Sequence, residues 1–538
     1  MLQCSARYRV RTVRIARAMT ISLQTVSKWF LYASLFCVVI VLPSIFFPFI
    51  GGKYYFFRVA VELALMSFIL WWGFQAKKDE ATALFKETIR QPLVVAVSAF
   101  VFAFLVATIF ARDSYAAFWS NYERGDGGFQ ILHYYAFFLL LAMLFREWKD
   151  WRRAFSLFLF AASAMILYGV GAYFVITDTG KNLFCPPVMI EGATSTVNAP
   201  RQCLFPLISS YQSSAPPATF WGKWVRNASG TLAYEPGILT GTRFQGSLGN
   251  PAYVSPYLMF ALFFLGMIWT ARQKKHRVGW FSSLTWWHIG YAALALFYLL
   301  FFVLAQTRGA FLGLGAGVLA FLLYFLFAWR KGRMFAAVLL AVFVIGGSIL
   351  FGYRDTTLVK SLPGSRFLDL SFSERTFQTR IWTWSTALEA WKESPKTVLF
   401  GWGPENFSMA FDKYFNPLHH IPRGSTETWF DRAHSVLFDY LAETGLLGLI
   451  AYLGIFVVLY VQFFKKMMMH TIRGRGTDDV RRALQEAAFF AMPIGYLVQG
   501  VVLFDVLPIY LGLFLFIAFG TFLFRRATHS PEAIITNG

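Results

Sequence analysis

The apolar positions of this chain fall into long unbroken runs rather than into stripes or alternations. Each run is about 20 residues, the length that carries an α-helix across the hydrocarbon core of a bilayer. Twelve runs stand out, at roughly 29–50, 55–75, 92–111, 129–145, 154–176, 250–271, 287–306, 309–329, 334–352, 445–464, 484–504 and 507–524. No water is available inside a bilayer to satisfy peptide groups, so such runs must be helical. The expectation is an all-α polytopic membrane protein of about twelve transmembrane helices. One domain spans 29–528, preceded by a basic N-terminus over 1–28 and followed by a tail over 529–538.

Two polar segments interrupt this rhythm. Residues 177–249 are rich in Pro, Ser, Thr and Asn and read as an irregular cap or lid. They hold Cys185 and Cys203, which could form a bridge in an oxidising compartment. They also hold a formal glycosylation sequon, Asn227-Ala228-Ser229, read as chance. Residues 353–444 have more order. Within 373–394, Phe377, Ile381, Trp384, Leu388 and Trp391 fall on one helical stripe, with Ser373 as N-cap and Ser394-Pro395 as the stop. The turn Gly401-Trp402-Gly403-Pro404 follows, and a short helix is expected from Ser435 to Glu443, broken at Gly445. A large loop with this much structure suits a working site better than a tether.

Composition agrees with the membrane reading. Of the 538 residues, 57% are hydrophobic and only 14% are charged, against about 25% charged in soluble domains. The net charge of +21 raises the question of nucleic acid. Its distribution answers it. The surplus sits in the basic N-terminus (Arg7, Arg9, Arg11, Arg14, Arg17, Lys28) and in inter-span clusters such as Arg272-Gln273-Lys274-Lys275, Arg330-Lys331-Gly332-Arg333 and Lys465-Lys466. With twelve spans these all fall on one side, the positive-inside signature, and no nucleic-acid partner is required. Both termini are therefore expected in the cytoplasm, the first run acts as a signal anchor, and the two long loops face outward.

Candidate chemistry lies on that outer side. His434 stands where the large loop meets a hydrophobic helix, and imidazole exchanges protons near neutral pH. Arginines occupy element boundaries on the same side: Arg124 in Asn121-Tyr122-Glu123-Arg124-Gly125, Arg243 before Gly249-Asn250-Pro251, Arg308 in the tight turn Gln306-Thr307-Arg308-Gly309, Arg380 on the loop helix and Arg432 beside His434. Guanidinium forks bind phosphates in two-pronged fashion, so two of them facing each other could hold a diphosphate without a metal. Each residue also has a plainer reading. An arginine at a span end can snorkel to headgroups, Arg380 can face solvent, and His434 can be a satisfied neighbour of a helix cap. His419-His420 reads as a surface pair, and Glu62 as an i,i+4 partner of Arg58. The like charge of Arg432 is expected to depress the His434 pKa. The sequence shows no phosphate-binding glycine loop, nucleophile elbow or metal-spaced His/Cys cluster; Asp113 and Asp126 lack ligand spacing.

These residues resemble the bacterial O-antigen ligase superfamily, which comprises O-antigen ligases, O-antigen polymerases and protein O-oligosaccharyltransferases. The ligase-type motif is a His, then Asn, Ser or Gln, nine residues, Gly, two residues, and Gly, Thr or Tyr. Here His434-Ser435, nine residues ending at Thr444, and Gly445-Leu446-Leu447-Gly448 follow it throughout. Thr307-Arg308-Gly309-Ala310, Arg380-Ile381-Trp382 with Gly401-Trp402-Gly403-Pro404, and Gly249-Asn250-Pro251 look like further family segments, while 177–249 is longer than the family leads one to expect.

The resemblance implies a GT-C-like, metal-independent, inverting glycosyltransferase with no cofactor. Its donor would be a glycan on undecaprenyl diphosphate, and its acceptor hydroxyl would lie on a lipid, a glycan or a protein. Arg308 and Arg380 would grip the diphosphate and His434 would orient or deprotonate the acceptor, with Arg432, Arg243 and Arg124 in support. A non-enzyme alternative is a flippase for lipid-linked oligosaccharides, which would carry charges deep within its spans.

Overall fold

The computed structural model describes residues 22–175, 220, 222–226, 230, 232–272, 286–356, 359, 368, 375–420, 428–474 and 476–529. Cys185 and Cys203, Ser373, the sequon at 227–229 and most of the 177–249 loop lie outside the described residues. In chain order the helices are α1 (Leu23–Ser34), α2 (Gly51–Leu70), α3 (Lys78–Ile89), α4 (Pro92–Ile109), α5 (Ser114–Trp119), α6 (Gly128–Leu144), α7 (Trp148–Val175), α8 (Pro251–Arg272), α9 (Trp286–Leu304), α10 (Arg308–Ala328), α11 (Arg333–Gly352), α12 (Arg375–Trp391), α13 (Pro395–Phe400), α14 (Phe407–Lys413), α15 (Val436–Phe463), α16 (Val480–Gly500) and α17 (Leu507–His529). A two-stranded antiparallel hairpin, β1 (Gly222–Arg226) and β2 (Leu232–Pro236), pairs Gly222 with Pro236 and Arg226 with Leu232.

The protein is an all-α polytopic membrane protein. Among the described residues, nine helices are long and apolar enough to cross a bilayer, and two shorter apolar ones, 23–39 and 128–144, stand at the first and fourth expected positions. The eleventh run is α16, whose early turns carry Arg481, Arg482 and Glu486. All twelve expected runs are therefore helical, and two of them end early; the eleventh was expected to run to 504, but α16 stops at Gly500. The first was expected at 29–50, but its helix ends at Val39, and Leu42 to Ile50 fold into tight turns that lead into α2. Pro43 and Pro48 explain the break, since neither can supply an N–H to a helix.

Packing places the rest. α17 is buried throughout its apolar window and forms the centre of the bundle, whereas α11 is almost bare. α10 lies along α16 through a row of glycines. A Cβ on Gly313 would meet the Gly495 carbonyl oxygen at 2.5 Å, and one on Gly309 would meet Val502 at 2.4 Å. Small residues let the two backbones approach without a hydrophobic driving force between them. The consequence is local to the site: Arg308, the first residue of α10, is held against the far end of α16.

The large loop is a compact helical layer of α12, α13 and α14. The stripe on α12 is present, but Ser394-Pro395 starts a helix as well as stopping one. Ser394 accepts from Thr397 N and Thr397 Oγ1 accepts from Ser394 N, a capping box for α13. His419 corrects the surface-pair reading. It is fully buried among Trp382, Phe411, Phe415 and Phe430, and only His420 is exposed. Glu62 corrects another expectation. It pairs with His133 Nε2 at 2.9 Å, while Arg58 turns instead to Gln130 Oε1 and the Gly125 carbonyl. The ring of His133, the sixth residue of α6, meets Glu62 across the helix interface, while Arg58 lies over Phe129.

The expected break at Gly445 is a sharp kink, with φ 64° and ψ −166°, inside α15. A Cβ there would lie 2.4 Å from the Leu399 carbonyl carbon, and one on Gly401 would lie 2.4 Å from Glu443 backbone atoms. Gly445→Ala should therefore destabilise the protein by at least about 2 kcal/mol through left-handed strain and backbone overlap. Gly346→Ala on α11, where an added Cβ meets nothing within 4 Å, should be neutral or slightly stabilising. Thermal unfolding of both variants in the same detergent separates the two outcomes; equal melting temperatures would contradict the role given to Gly445.

Candidate active site

Residues 431–436 join the loop layer to α15, and five different regions hold them in place. Asp431 receives both prongs of Arg124, Nε to Oδ2 at 2.6 Å and Nη2 to Oδ1 at 2.9 Å. Arg432 is buried between two carboxylates, Glu405 and Glu443, the latter at 3.0 Å. The Ala433 N–H donates to Asp439 Oδ1 (2.6 Å), and its carbonyl accepts the Trp384 indole N–H (3.0 Å). The Val436 N–H donates to the Leu503 carbonyl (3.0 Å), outside the helix it begins. Ser435 stands at the N-cap as expected, but its side chain makes no cap bond.

The double-glycine turn is what holds this segment at the right height. The short helical piece before Gly445 would leave its last carbonyls open. Trp402 N–H donates to the Ala442 carbonyl (2.8 Å) and Gly403 N–H to the Glu443 carbonyl (2.9 Å), which closes them. The same turn accepts Arg112 N–H on the Trp402 carbonyl (2.8 Å) and ties α12 by the Trp402 indole to the Ala390 carbonyl (2.8 Å). The resemblance segment 401–404 is thus a bracket between α4, α12 and α15.

His434 is the strained point of the segment, with φ 55°. Histidine enters the left-handed region more often than most residues, but at an energetic cost that the surrounding clamps must offset. Its ring sits edge-on between Phe430 and Phe504, with centroids at 5.3 and 5.1 Å. Nδ1 lies 3.1 Å from the Arg432 carbonyl oxygen. A carbonyl can only accept, so in the neutral ring Nδ1 carries the proton and Nε2 carries the lone pair. Burial is the main cause that brings the His434 pKa down from 6.5 to about 4; the Arg432 carbonyl contact opposes it and the charge of Arg380 adds to it. The expectation that Arg432 depresses it by like charge is thereby corrected, because Glu405 and Glu443 engage that charge.

The other arginines divide into two groups. Arg124 and Arg432 are both engaged by carboxylates and act as ties; burial and these partners leave both more firmly protonated than usual on balance. Arg380 lies one turn before Trp384 on α12, whose ring stacks on Phe438 (5.1 Å) and bonds Ala433, so its guanidinium is delivered to the His434 side. Arg308 opens α10 beside Val502, and Arg243 reaches that same turn, with Nη2 at 3.5 Å from Thr307 Oγ1 and Nε at 3.4 Å from the Ala305 carbonyl.

Residues 501–506 link these groups; the sequence reading placed 501–504 in the eleventh span and left only 505–506 as the gap, whereas the helix ends at Gly500. Val502 packs on Gly309, Leu503 receives Val436, and the Phe504 ring meets His434, the Arg124 guanidinium at 5.1 Å and Tyr253 at 6.2 Å. The available signal was Asp505 and Pro508 between two apolar runs, a polar break too short for a loop. Below this level, burial pushes Asp126 and Asp505 up to about 7; Asp126 accepts from Tyr54 and Tyr134, and Asp505 from Tyr496. A shallow cleft opens beside Arg124 and Tyr253, lined mainly by apolar side chains such as Phe49, Ile50 and Leu507, with Lys53 and Glu123 also on its wall. No cluster of His, Cys, Asp and Glu suited to a metal occurs among the described residues.

Residues 292–453 match the family model described as O-antigen ligase. The matched segment runs from α9 into α15 and contains Arg308, Arg380, the 401–404 turn, Arg432 and His434; Arg124, Arg243 and the 501–506 link lie outside it. No curated protein matches the chain. Over this segment the chain is similar to the O-antigen ligase family.

Proposed function

We propose that the protein is a membrane glycosyltransferase of the ligase or polymerase kind. It would move a glycan from a polyprenyl diphosphate, usually undecaprenyl diphosphate, to an acceptor hydroxyl on the extracytoplasmic side. The observation that carries this reading is His434. Its Nδ1–H is held by the Arg432 carbonyl, its lone pair is left on Nε2, and the charge of Arg380 reaches it. The charge distribution supports the orientation, since Arg330, Lys331, Arg333, Lys465 and Lys466 lie at the helix ends opposite His434.

In this reading the acceptor hydroxyl gives its proton to Nε2 while its oxygen attacks the anomeric carbon from the face opposite the leaving group. The bond from that carbon to the diphosphate oxygen breaks, the configuration inverts, and the electron pair leaves with the diphosphate. Arg308 and Arg380 stabilise the negative charge as it develops, a term that fixed donors supply without reorganisation. Arg124 and Arg432 hold the frame, and Arg243 supports the turn that bears Arg308. The isoprenoid tail is apolar, and the bundle offers apolar surface beside the site. The acceptor hydroxyl would belong to a lipid or a growing glycan, with a protein hydroxyl as the third choice in the same superfamily.

The low pKa of His434 has a consequence for the order of events. With the site empty, the ring stays neutral well below pH 6.5. A bound diphosphate brings negative charge near it, and opposite charge favours the protonated form. The base is thus weak before the donor arrives and stronger after. Because kcat/KM reports the free enzyme and kcat the complex, kcat/KM should stay flat from pH 7.5 to about 5 while the acid limb of kcat lies at higher pH. A common limb near 6.5 in both would contradict the buried, neutral imidazole.

Purified protein incubated with an undecaprenyl diphosphate glycan and each acceptor class, with products identified by mass spectrometry, tests the reading directly. His434→Ala should lower transfer by about 10²–10⁴-fold while the protein still inserts and melts normally. Unchanged product formation would remove the proposed base. Since guanidinium groups carry the positive charge in this scheme, transfer should persist in EDTA; strict restoration by added magnesium would count against it.

A further inference from the structure

We propose that Trp429 and Asp412 form a sugar-binding platform at the rim of the site, and that its ligand is a pyranose ring of the substrate glycan. The proposal rests on the glycan-transfer reading above and adds a subsite to it.

Trp429 is 52% exposed, yet it is not a loose surface residue. Its indole Nε1–H donates to Asp412 Oδ1 at 3.0 Å. An exposed indole can satisfy that N–H with water at no cost in side-chain freedom, so a carboxylate partner does something else: it fixes the plane of the ring. No ring stacks on Trp429 among the described residues, and Asp412 Oδ2 has no hydrogen-bond partner among them either. The pair therefore presents an apolar aromatic face with a carboxyl acceptor oxygen at its edge. A pyranose has the complementary form, with a face of C–H bonds and a rim of hydroxyl donors.

Position supports the assignment. The next residue, Phe430, is buried and sets its ring against His434 at 5.3 Å. Adjacent Cα atoms are about 3.8 Å apart, so the platform stands within a few sugar units of the imidazole. Asp412 comes from α14 and Trp429 from the irregular residues 428–430 just before residue 431, so both belong to the layer that carries the catalytic segment. The exposed apolar residues Phe415 and Leu418 of the same layer lack such a fixed polar edge and do not share this chemistry.

Steady-state transfer by full-length wild type, Trp429→Ala, Trp429→Phe and Asp412→Asn, in detergent and in liposomes, tests the proposal. The lipid-linked donor glycan is varied at fixed acceptor, and then the acceptor at fixed donor. Trp429→Ala should raise one of the two KM values about five- to tenfold with kcat within twofold, and Trp429→Phe should recover part of that loss. Asp412→Asn should raise the same KM by a smaller factor. A shift in the donor KM assigns the platform to the incoming glycan, and a shift in the acceptor KM assigns it to the receiving one. If both KM values stay within 1.5-fold, or if kcat alone falls, there is no sugar platform. If only liposome attachment of the loop layer changes, Trp429 is a membrane anchor and the proposal fails. Should wild type show no transfer, the function reading fails separately. The platform is then read by titrating the free oligosaccharide: quenching of fluorescence that is lost in Trp429→Ala upholds it, and an identical response in both proteins overturns it.

Discussion

The site depends on a contact between two pieces of backbone. Gly401 and Gly445 bring the 399–403 turn and the kink of α15 so close that a methyl group on either would overlap main-chain atoms. Only at that distance can Trp402 and Gly403 reach the Ala442 and Glu443 carbonyls. The kink ends the first piece of α15 after Thr444, and the capped end fixes where that piece begins, and so where His434 stands. The two glycines of the motif segments are thus one physical device, although 43 residues of sequence separate Gly401 from Gly445.

Electrostatics then sorts the arginines. The end of the bundle that holds His434 has both signs of charge, and carboxylates there engage the buried arginines. Arg432 is buried, and an unpaired guanidinium there would carry a large desolvation penalty. Glu405 and Glu443 remove it, at the expense of making Arg432 unavailable to a ligand. Arg124 is likewise committed to Asp431 and covered by Phe504. Arg308 opens α10 and Arg380 rides on α12. Their carboxylate partners mark Arg124 and Arg432 as ties within the frame.

Much of this was legible in the sequence, and the limits have physical causes. Runs of about 20 apolar residues marked the spans because a bilayer imposes a length. Gly445 marked the break and Ser435 the start of the short helix because φ above zero and helix entry have specific residue requirements. Arg308 was placed well by its turn, since α10 begins at that residue. What sequence could not supply were choices among partners. Glu62 had Arg58 at helical spacing but took His133 on another helix. His419 looked exposed beside His420 and lies in an aromatic core. Arg432 adjoined His434 in the chain, yet its charge is directed to Glu405 and Glu443. Spacing fixes neighbours within one element; tertiary packing decides between elements.

The role of residues 501–506 extends the same point to the mechanism. This short link touches three of the groups at once: Val502 under Gly309 of α10, Leu503 on the first N–H of α15, and Phe504 against both His434 and Arg124. It lies outside the segment that matches the O-antigen ligase family model. The matched part therefore holds Arg308, Arg380 and His434, while contacts from α16, α17 and the loop before α6 help to place them. A change in the lateral packing of α16 against α10 would move Val502 and Phe504 together, and with them the distance between Arg308 and the imidazole. The glycine row on α10 is then more than a device for close helix packing, because it sets the spacing between the start of α10 and the 501–506 link.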